Sequence, residues 1–518
     1  MTPDTATSPS TTTVFADTVR ARHTLVIVGA GFGGLTMAAE LKTAGIDDFA
    51  ILESGHDLGG VWRENTYPGC TCDVPSHLYS FAFDPHRSTE VRYPDQAAIL
   101  TYMQDVAERH GLRSHLHTGV QIATAEYDDT TGTWTLTTTG GQHILAEYVV
   151  WAVGQLHRPA IADLRGLATF GGHAFHSARW DHSADLTGHI AVIGTGSSAA
   201  QIVPHLARTA ARVTVYQRTA AWILPRPRER FGPISRAALR SVPGLHRIYR
   251  HGIYRAADLV LAPIMRGGWS ARPAEWIARA HLRRHVSDPW LRSRLTPDYR
   301  IGEKRILLDN NFYPALTLPH VELVTDEIDH VSADGIHTTD GTFRQAQVIV
   351  LGTGFTASQF LGGITVRGRD GADLHAQWQQ AGRSEAYFGL AVPNFPNMFL
   401  IAGPNSFTAA NSNPAIKASQ ARYIMRALAL GTRLRTPIEV SASAMVDYRR
   451  WLHDALADTV WSTGVPSWFK QPDGAVTNPW PGSASAFERM TAHARPEHDF
   501  VTVPSAAPHL LATARRTA

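Results

Sequence analysis

One pattern constrains this chain more than any other. A short apolar run, a glycine-rich turn and a helix-patterned run follow one another, and the series occurs twice. The first copy is Leu25-Val26-Ile27-Val28, then Gly29-Ala30-Gly31-Phe32-Gly33-Gly34, then Leu35 to Leu41 with apolar residues at 35, 38, 39 and 41. Strand, G-x-G-x-x-G and helix in this order is the context that turns a loose motif into a nucleotide-binding one. Gly29 permits the tight turn, Gly31 lets a diphosphate approach the backbone, and Gly34 lets helix and strand pack closely. The helix N-terminus then presents partial positive charge to the phosphates. Phe49-Ala50-Ile51-Leu52 reads as the next strand and ends at Glu53. An acid at that place binds a ribose hydroxyl pair.

The second copy begins with Ile190-Ala191-Val192-Ile193 and continues as Gly194-Thr195-Gly196-Ser197-Ser198-Ala199. Alanine at the third glycine position is allowed by the fingerprint. The strand that follows, Val213-Thr214-Val215-Tyr216, ends in Gln217-Arg218-Thr219 rather than in an acid. A carboxylate there would repel a 2′-phosphate, whereas Arg218 can bind one through a charge-assisted fork. The first site is therefore suited to FAD and the second to NADPH. Two such sites in one chain imply an α/β fold with two Rossmann-like domains and the chemistry of a flavoprotein oxidoreductase.

Composition narrows the class further. At 518 residues, 44% hydrophobic and 18% charged, the chain is expected to fold as several domains with a substantial core. A formal charge of +3 is too mild to predict nucleic-acid binding. The first 22 residues are rich in Thr, Ser and Pro without an apolar core, and read as a tail rather than a signal peptide. No run approaches the ~18 apolar residues of a spanning helix. The cytoplasm is the expected compartment. Cys70 and Cys72 are the only cysteines. C-x-C spacing is not that of a C-x-x-C redox pair, and two thiols cannot close a zinc site. His281 and His285 share a helix face but enclose Arg283 and Arg284, so no metal site is expected.

Three further segments carry a resemblance. Gly59-Gly60-Val61-Trp62-Arg63-Glu64-Asn65-Thr66-Tyr67-Pro68-Gly69-Cys70-Thr71-Cys72-Asp73 resembles the G-G-x-W-x-x-x-x-[FY]-P-G-x-x-x-D segment of flavin-dependent Baeyer–Villiger monooxygenases. Phe170, Gly172, His176, Trp180 and Asp181 match that family's F-x-G-x-x-x-H-x-x-x-W-[PD] fingerprint at every fixed position. Ala152-Val153-Gly154 and Leu351-Gly352-Thr353-Gly354-Phe355 look like the two returns between nucleotide domains. Here Gln347 and Gly352 replace an Asp and an Ala of the usual pattern. The resemblance runs from about His23 to about Glu488.

The resemblance implies NADPH- and oxygen-dependent conversion of a ketone to an ester or lactone through a flavin peroxide. It also implies roles. Arg305, in the Lys304-Arg305 pair, looks like the active-site arginine that stabilises developing negative charge. Asp73 would lie near the flavin and pair with it. Gly60, Val61, Trp62 and Tyr79 would contact FAD, with Val120 reaching the adenine through its backbone. Thr195, Ser197, Ser198, Arg218, Thr219 and Lys304 would hold NADP, and Trp468 would reach the nicotinamide ribose. His176 is read as acting in domain motion more than in proton transfer. Trp180 belongs either to the fingerprint or to a packed core.

N- and S-oxygenating flavin monooxygenases share the cofactors but usually carry Tyr or Phe at the Trp180 position. A flavin reductase and a non-catalytic FAD-binding protein are more distant alternatives.

The domain plan that follows assigns 23–156 and 384–500 to the FAD domain and 157–225 and 303–356 to the NADP domain. Residues 226–302 form a helical insertion, 357–383 a linker, and 1–22 and 501–518 the tails. The stretch from Arg226 to Arg305 holds 18 Lys plus Arg against 6 Asp plus Glu and is punctuated by prolines. A solvated basic helical face is favoured there over contact with anionic lipids. The ketone's identity and the oligomeric state are not specified by these patterns.

Overall fold

The computed structural model describes residues 19–88 and 90–505. It contains two parallel sheets, each grown around one of the glycine turns.

In the first sheet, strand Arg22–Val28 lies between Phe49–Leu52 and His143–Trp151, all parallel. The apolar run is buried along almost its whole length, as expected for a central strand covered on both faces. Helix Phe32–Thr43 covers one face and packs against the 22-residue helix Asn413–Leu434. Strand Met398–Leu400 completes this sheet by pairing with Val149, Val150 and Trp151. An antiparallel extension, Ile122–Asp128 and Thr133–Thr138, leaves the same His143–Trp151 strand at its other end.

The second sheet holds five parallel strands. Val321–Val324, Arg212–Tyr216, His189–Ile193, Val348–Leu351 and His173–His176 lie side by side in that order. Helix Ser197–Leu206 follows the second glycine turn. Between these sheets the chain crosses twice, and Ala160 N–H donates to Gly354 O while Thr356 N–H donates to Arg158 O.

The structure alters the expected plan in four places. Residues 357–383 are not a free linker, because Thr365–Arg367 adds to the first sheet beside Thr124–Glu126. One buried side chain, Val366, seats that strand, too little apolar signal for periodicity to detect. The C-terminal tail begins later than residue 501, since Phe500–Thr502 pairs with Ile438–Val440. Its remainder, 506–518, lies outside the described residues, as do residues 1–18 of the expected N-terminal tail. At the other end Val19 is already buried, so the fold begins before residue 23. The fingerprint segment is not a bare connection either. His173–His176 is an edge strand of the second sheet, held by its ladder to Val348–Leu351.

The insertion is helical, with Pro233–Ser241, Leu245–Ala256, Ala271–His285 and Pro289–Arg294. Asp258 anchors it to the C-terminal part. Its buried carboxylate accepts from Asn411 Nδ2 at 2.7 Å, Ala484 N at 3.1 Å and Ser485 N at 3.0 Å. His77 Nε2 and His246 Nδ1 share a proton across 3.0 Å, joining the insertion to the segment after Asp73. Burial pushes His77 down to about 4, so it is uncharged at neutral pH.

Candidate active site

Each glycine turn shows which of its positions has room for a ligand. A Cβ on Gly29 would stand 2.6 Å from the Ala152 carbonyl, and Gly29 has φ +105°. A Cβ on Gly34 would stand 1.9 Å from the Gly29 carbonyl. Gly31 differs: its nearest neighbour would be Gly60 Cα at 3.9 Å. The second turn repeats this arrangement. A Cβ on Gly194 would meet the Gly352 carbonyl at 2.5 Å, whereas one on Gly196 would meet nothing within 4 Å. Gly29 and Gly34 in the first turn and Gly194 in the second are used by the protein, and in both turns the middle glycine leaves a cradle. A diphosphate above a helix N-terminus fits such a cradle.

Glu53 ends its strand buried. Its Oε2 accepts from Ala30 N at 2.9 Å and its Oε1 from Gly55 N at 2.8 Å. Arg63 Nη1 pairs with Oε1 at 3.0 Å. A carboxylate offers about four acceptor sites, so capacity for a ribose hydroxyl is left on Oε2. Arg63 escapes sequence reasoning because it stands at an unspecified motif position. Gly60 has φ +54° and starts the short helix Val61–Glu64 against the turn. Trp62 Nε1 donates to the Tyr79 hydroxyl at 3.1 Å, and the Tyr79 ring stands edge-on to Phe32 at 5.1 Å. Burial pushes the Tyr79 hydroxyl far above its ordinary range, so it stays protonated. Val120 keeps one backbone group for its expected role. Its N–H donates to Glu53 O at 2.9 Å, so only its carbonyl remains for an adenine edge.

At the second turn Thr195 Oγ1 donates to Thr219 O at 3.2 Å. Arg218 is exposed beside it. Lys304 lies over the Tyr299 ring at 5.0 Å. Burial and the neighbouring Arg218 charge both lower the Lys304 pKa. Thr195, Thr219, Arg218 and Lys304 therefore form one cationic corner, with Ser197 and Ser198 opening the helix next to it.

Arg305 and Asp73, 232 residues apart, are brought into contact. Arg305 Nη2 donates to Asp73 Oδ2 at 2.6 Å. The Asp73 charge raises the Arg305 pKa, so the guanidinium is permanently charged. The guanidinium carbon stands 5.9 Å from the centroid of Phe407, whose ring is edge-on to Trp468 at 5.0 Å. Phe407 is another residue that sequence reasoning missed, since it lies in an irregular loop with no motif around it. Trp461 Nε1 donates to Gly302 O at 2.9 Å and ties the C-terminal loop to the segment before Lys304.

Cys70 and Cys72 are both buried and free. Burial raises Cys70 to about 11 and Cys72 upward as well, which disfavours the thiolate that redox chemistry needs.

The fingerprint residues lie at the edge of the second sheet. Trp180 packs in the core edge-on to Phe175 at 5.0 Å. Phe170 packs in a smaller apolar cluster nearby. Asp181 accepts from His173 Nδ1 at 2.8 Å. A Cβ on Gly172 would stand 2.1 Å from the Gln347 carbonyl. His176 is buried, its Nδ1 accepts from Ala178 N at 3.1 Å, and its ring faces Phe355 on the second crossing at 5.6 Å. Burial lowers its pKa. The structure does not bring His176 into contact with Arg305 or Asp73.

Three more contacts link the segment after the first turn to the second nucleotide domain. Tyr67 O–H donates to Gln201 Oε1 at 3.0 Å, and Gln201 Nε2 donates to Thr71 O at 3.0 Å. Arg179 is ion-paired with Glu64.

Comparison with known proteins agrees with this geometry. A family profile described as pyridine nucleotide-disulphide oxidoreductase matches residues 26–249. A Baeyer–Villiger monooxygenase of Streptomyces coelicolor is 38% identical over 471 residues, covering 90% of each chain. One from Pseudomonas aeruginosa is 38% identical over 481 residues, covering 91% of this chain and 90% of that one. Among solved structures, cyclohexanone monooxygenase from Rhodococcus sp. Phi1 bound to NADP+ superimposes with a TM-score of 0.83 at 27% identity. That match covers 93% of this chain and 99% of the other.

Proposed function

The chain belongs to the Baeyer–Villiger monooxygenases, and from that premise we propose how its own residues divide the work. The reaction is the NADPH- and oxygen-dependent insertion of one oxygen atom beside a ketone carbonyl, giving an ester or lactone. When bound, FAD would pass two electrons from NADPH to dioxygen, one of whose atoms enters the product while the other leaves as water.

The Gly31 and Gly196 cradles fit one diphosphate each, and Glu53 and Arg218 distinguish the riboses. Arg305, paired with Asp73 and next in sequence to Lys304, is the group that would act on the ketone. Attack on a ketone carbon places negative charge on the carbonyl oxygen, and a fixed guanidinium stabilises that charge. Asp73 holds the guanidinium in one orientation. Phe407 and Trp468 wall the space beside it and exclude water. Thr195, Thr219 and Lys304 hold the NADPH ribose and phosphate with Arg218. His176 and the Tyr67–Gln201–Thr71 bridge set the relation of the domains. NADPH dependence favours the cytoplasm, where that reductant is regenerated.

The Arg305–Asp73 contact carries this reading. An Arg305→Ala enzyme should hold FAD and have it bleached by NADPH under anaerobic conditions. Its ester formation should fall by about 10²–10³-fold, the range for removing one fixed stabiliser of an oxyanion. Ester formed at the ordinary rate would remove Arg305 from the chemistry.

A further inference from the structure

The helical insertion has an outer surface that the oxidation chemistry does not use. The chain has 13 tryptophans, and the three most exposed all lie in this insertion. Trp269 is 69% exposed, Trp276 67% and Trp290 54%, and Ile234, Ile248 and Leu259 project from the same segment. Scattered exposed apolar residues need no explanation, but a concentration of large ones in one subdomain does.

Their spacing is helical. Arg247, Ile248, His251, Arg255 and Leu259 are all exposed along one stripe of the helix that begins at Leu245. Arg272, Trp276, Arg279 and Arg283 form a second exposed stripe on Ala271–His285. Apolar and basic side chains are thus interleaved on each helix rather than gathered into a groove.

Charge identifies the partner. From 226 to 302 the balance of 16 basic and 5 acidic residues is +11, in a chain whose total is +3, so the rest carries −8. Most acids of the insertion are turned to other uses. Asp258 is buried, Glu229 pairs with Arg226, Glu275 accepts from Ile301 N and Asp288 caps the helix that starts at Pro289, which leaves Asp298 as the one exposed acid without such a use among them. Among the described residues, Arg247, Arg255, Arg272, Arg283 and Arg284 make no ion pair. Arg279, Arg283 and Arg292 also line a cleft of about 210 Å³.

We propose that the exposed side of Ala271–His285 and Pro289–Arg294, which the cleft joins, docks the enzyme on an anionic phospholipid bilayer. Tryptophan and isoleucine side chains would enter the headgroup boundary, with the cleft taking a lipid phosphate. Tryptophan rings favour that depth, and basic side chains are drawn to an anionic leaflet. Among the described residues no helix is long and apolar enough to cross a membrane. The contact is therefore peripheral, with the helices lying along the surface.

The test uses the full-length holoenzyme and two sets of vesicles, phosphatidylcholine alone and phosphatidylcholine mixed with phosphatidylglycerol. The enzyme should sediment with the mixed vesicles only, and its tryptophan emission should shift to the blue. Combined Trp269→Ser, Trp276→Ser and Trp290→Ser substitution should weaken sedimentation at least tenfold. FAD content and turnover of a water-soluble ketone should stay unchanged. Replacing Arg272, Arg283 and Arg284 by Ser should abolish the preference for phosphatidylglycerol. No sedimentation with either vesicle at low salt would overturn the proposal. So would binding that ignores the tryptophan substitutions, which would mean charge attraction without insertion. Sedimentation abolished by inorganic phosphate but kept in chloride of equal ionic strength would mean the cleft binds a free anion, and would also overturn it.

Discussion

At the first nucleotide turn a methyl group on Gly34 would stand 1.9 Å from a backbone carbonyl. At the second turn the corresponding residue already is an alanine, Ala199, and it is fully buried without displacing anything. The same contrast recurs around each turn. Glu53 is locked beneath the first by two backbone N–H groups and Arg63, whereas Arg218 stands exposed beside the second. Gly31 is half-buried under Gly60, while Gly196 is exposed. One plan has been closed over one nucleotide and left open for the other. The closed site suits a cofactor that stays through every turnover, and the open one suits a reductant that must arrive and leave.

Substitutions can break this comparison. Gly34→Ala should cause the largest effect, loss of FAD retention or of folding altogether, because neither backbone can move away. Ala199→Gly at the matching place should leave FAD content intact, with a stability loss of about 1 kcal/mol from helix propensity. Absorbance at the flavin bands after gel filtration reads both. Equal tolerance at the two positions would remove the distinction between a closed and an open turn.

A smaller effect is expected at the open site. Arg218→Ala should raise the KM for NADPH about tenfold, the equivalent of ~1.4 kcal/mol, and relax the preference over NADH. FAD should be unaffected. An unchanged preference would move the 2′-phosphate site away from Arg218.

The smallest effect is in the pH dependence of that same site. Lys304 has a lowered pKa because it is half-buried and faces Arg218. It contributes its charge to phosphate binding below that pKa and loses it as pH rises through it. The KM for NADPH should therefore start to climb at a lower pH than an ordinary lysine would give. Lys304→Arg, which keeps its charge throughout, should flatten the profile.

Both turns, their strands and the Arg218 substitution were legible because they are local. Each is written in fewer than 40 consecutive residues. The Arg305–Asp73 pair became legible only through the family resemblance, since 232 residues separate its members. Arg63, Phe407 and Gln201 were not legible. Their roles depend on where distant segments come to rest, and nothing in their immediate neighbours signals it. Strand Thr365–Arg367 was missed for a different reason. Three residues with one buried valine cannot show a period of two.

The first sheet is closed by Met398–Leu400, and its helical layer by Asn413–Leu434. These pieces leave the ribosome after the whole of the second sheet and the insertion. A nascent chain can therefore complete its NADPH-binding turn while its FAD-binding turn still lacks a wall. A chain truncated before Met398 would lack both pieces, so its first glycine turn would stand without the strand and the helix that pack beside it in the complete protein.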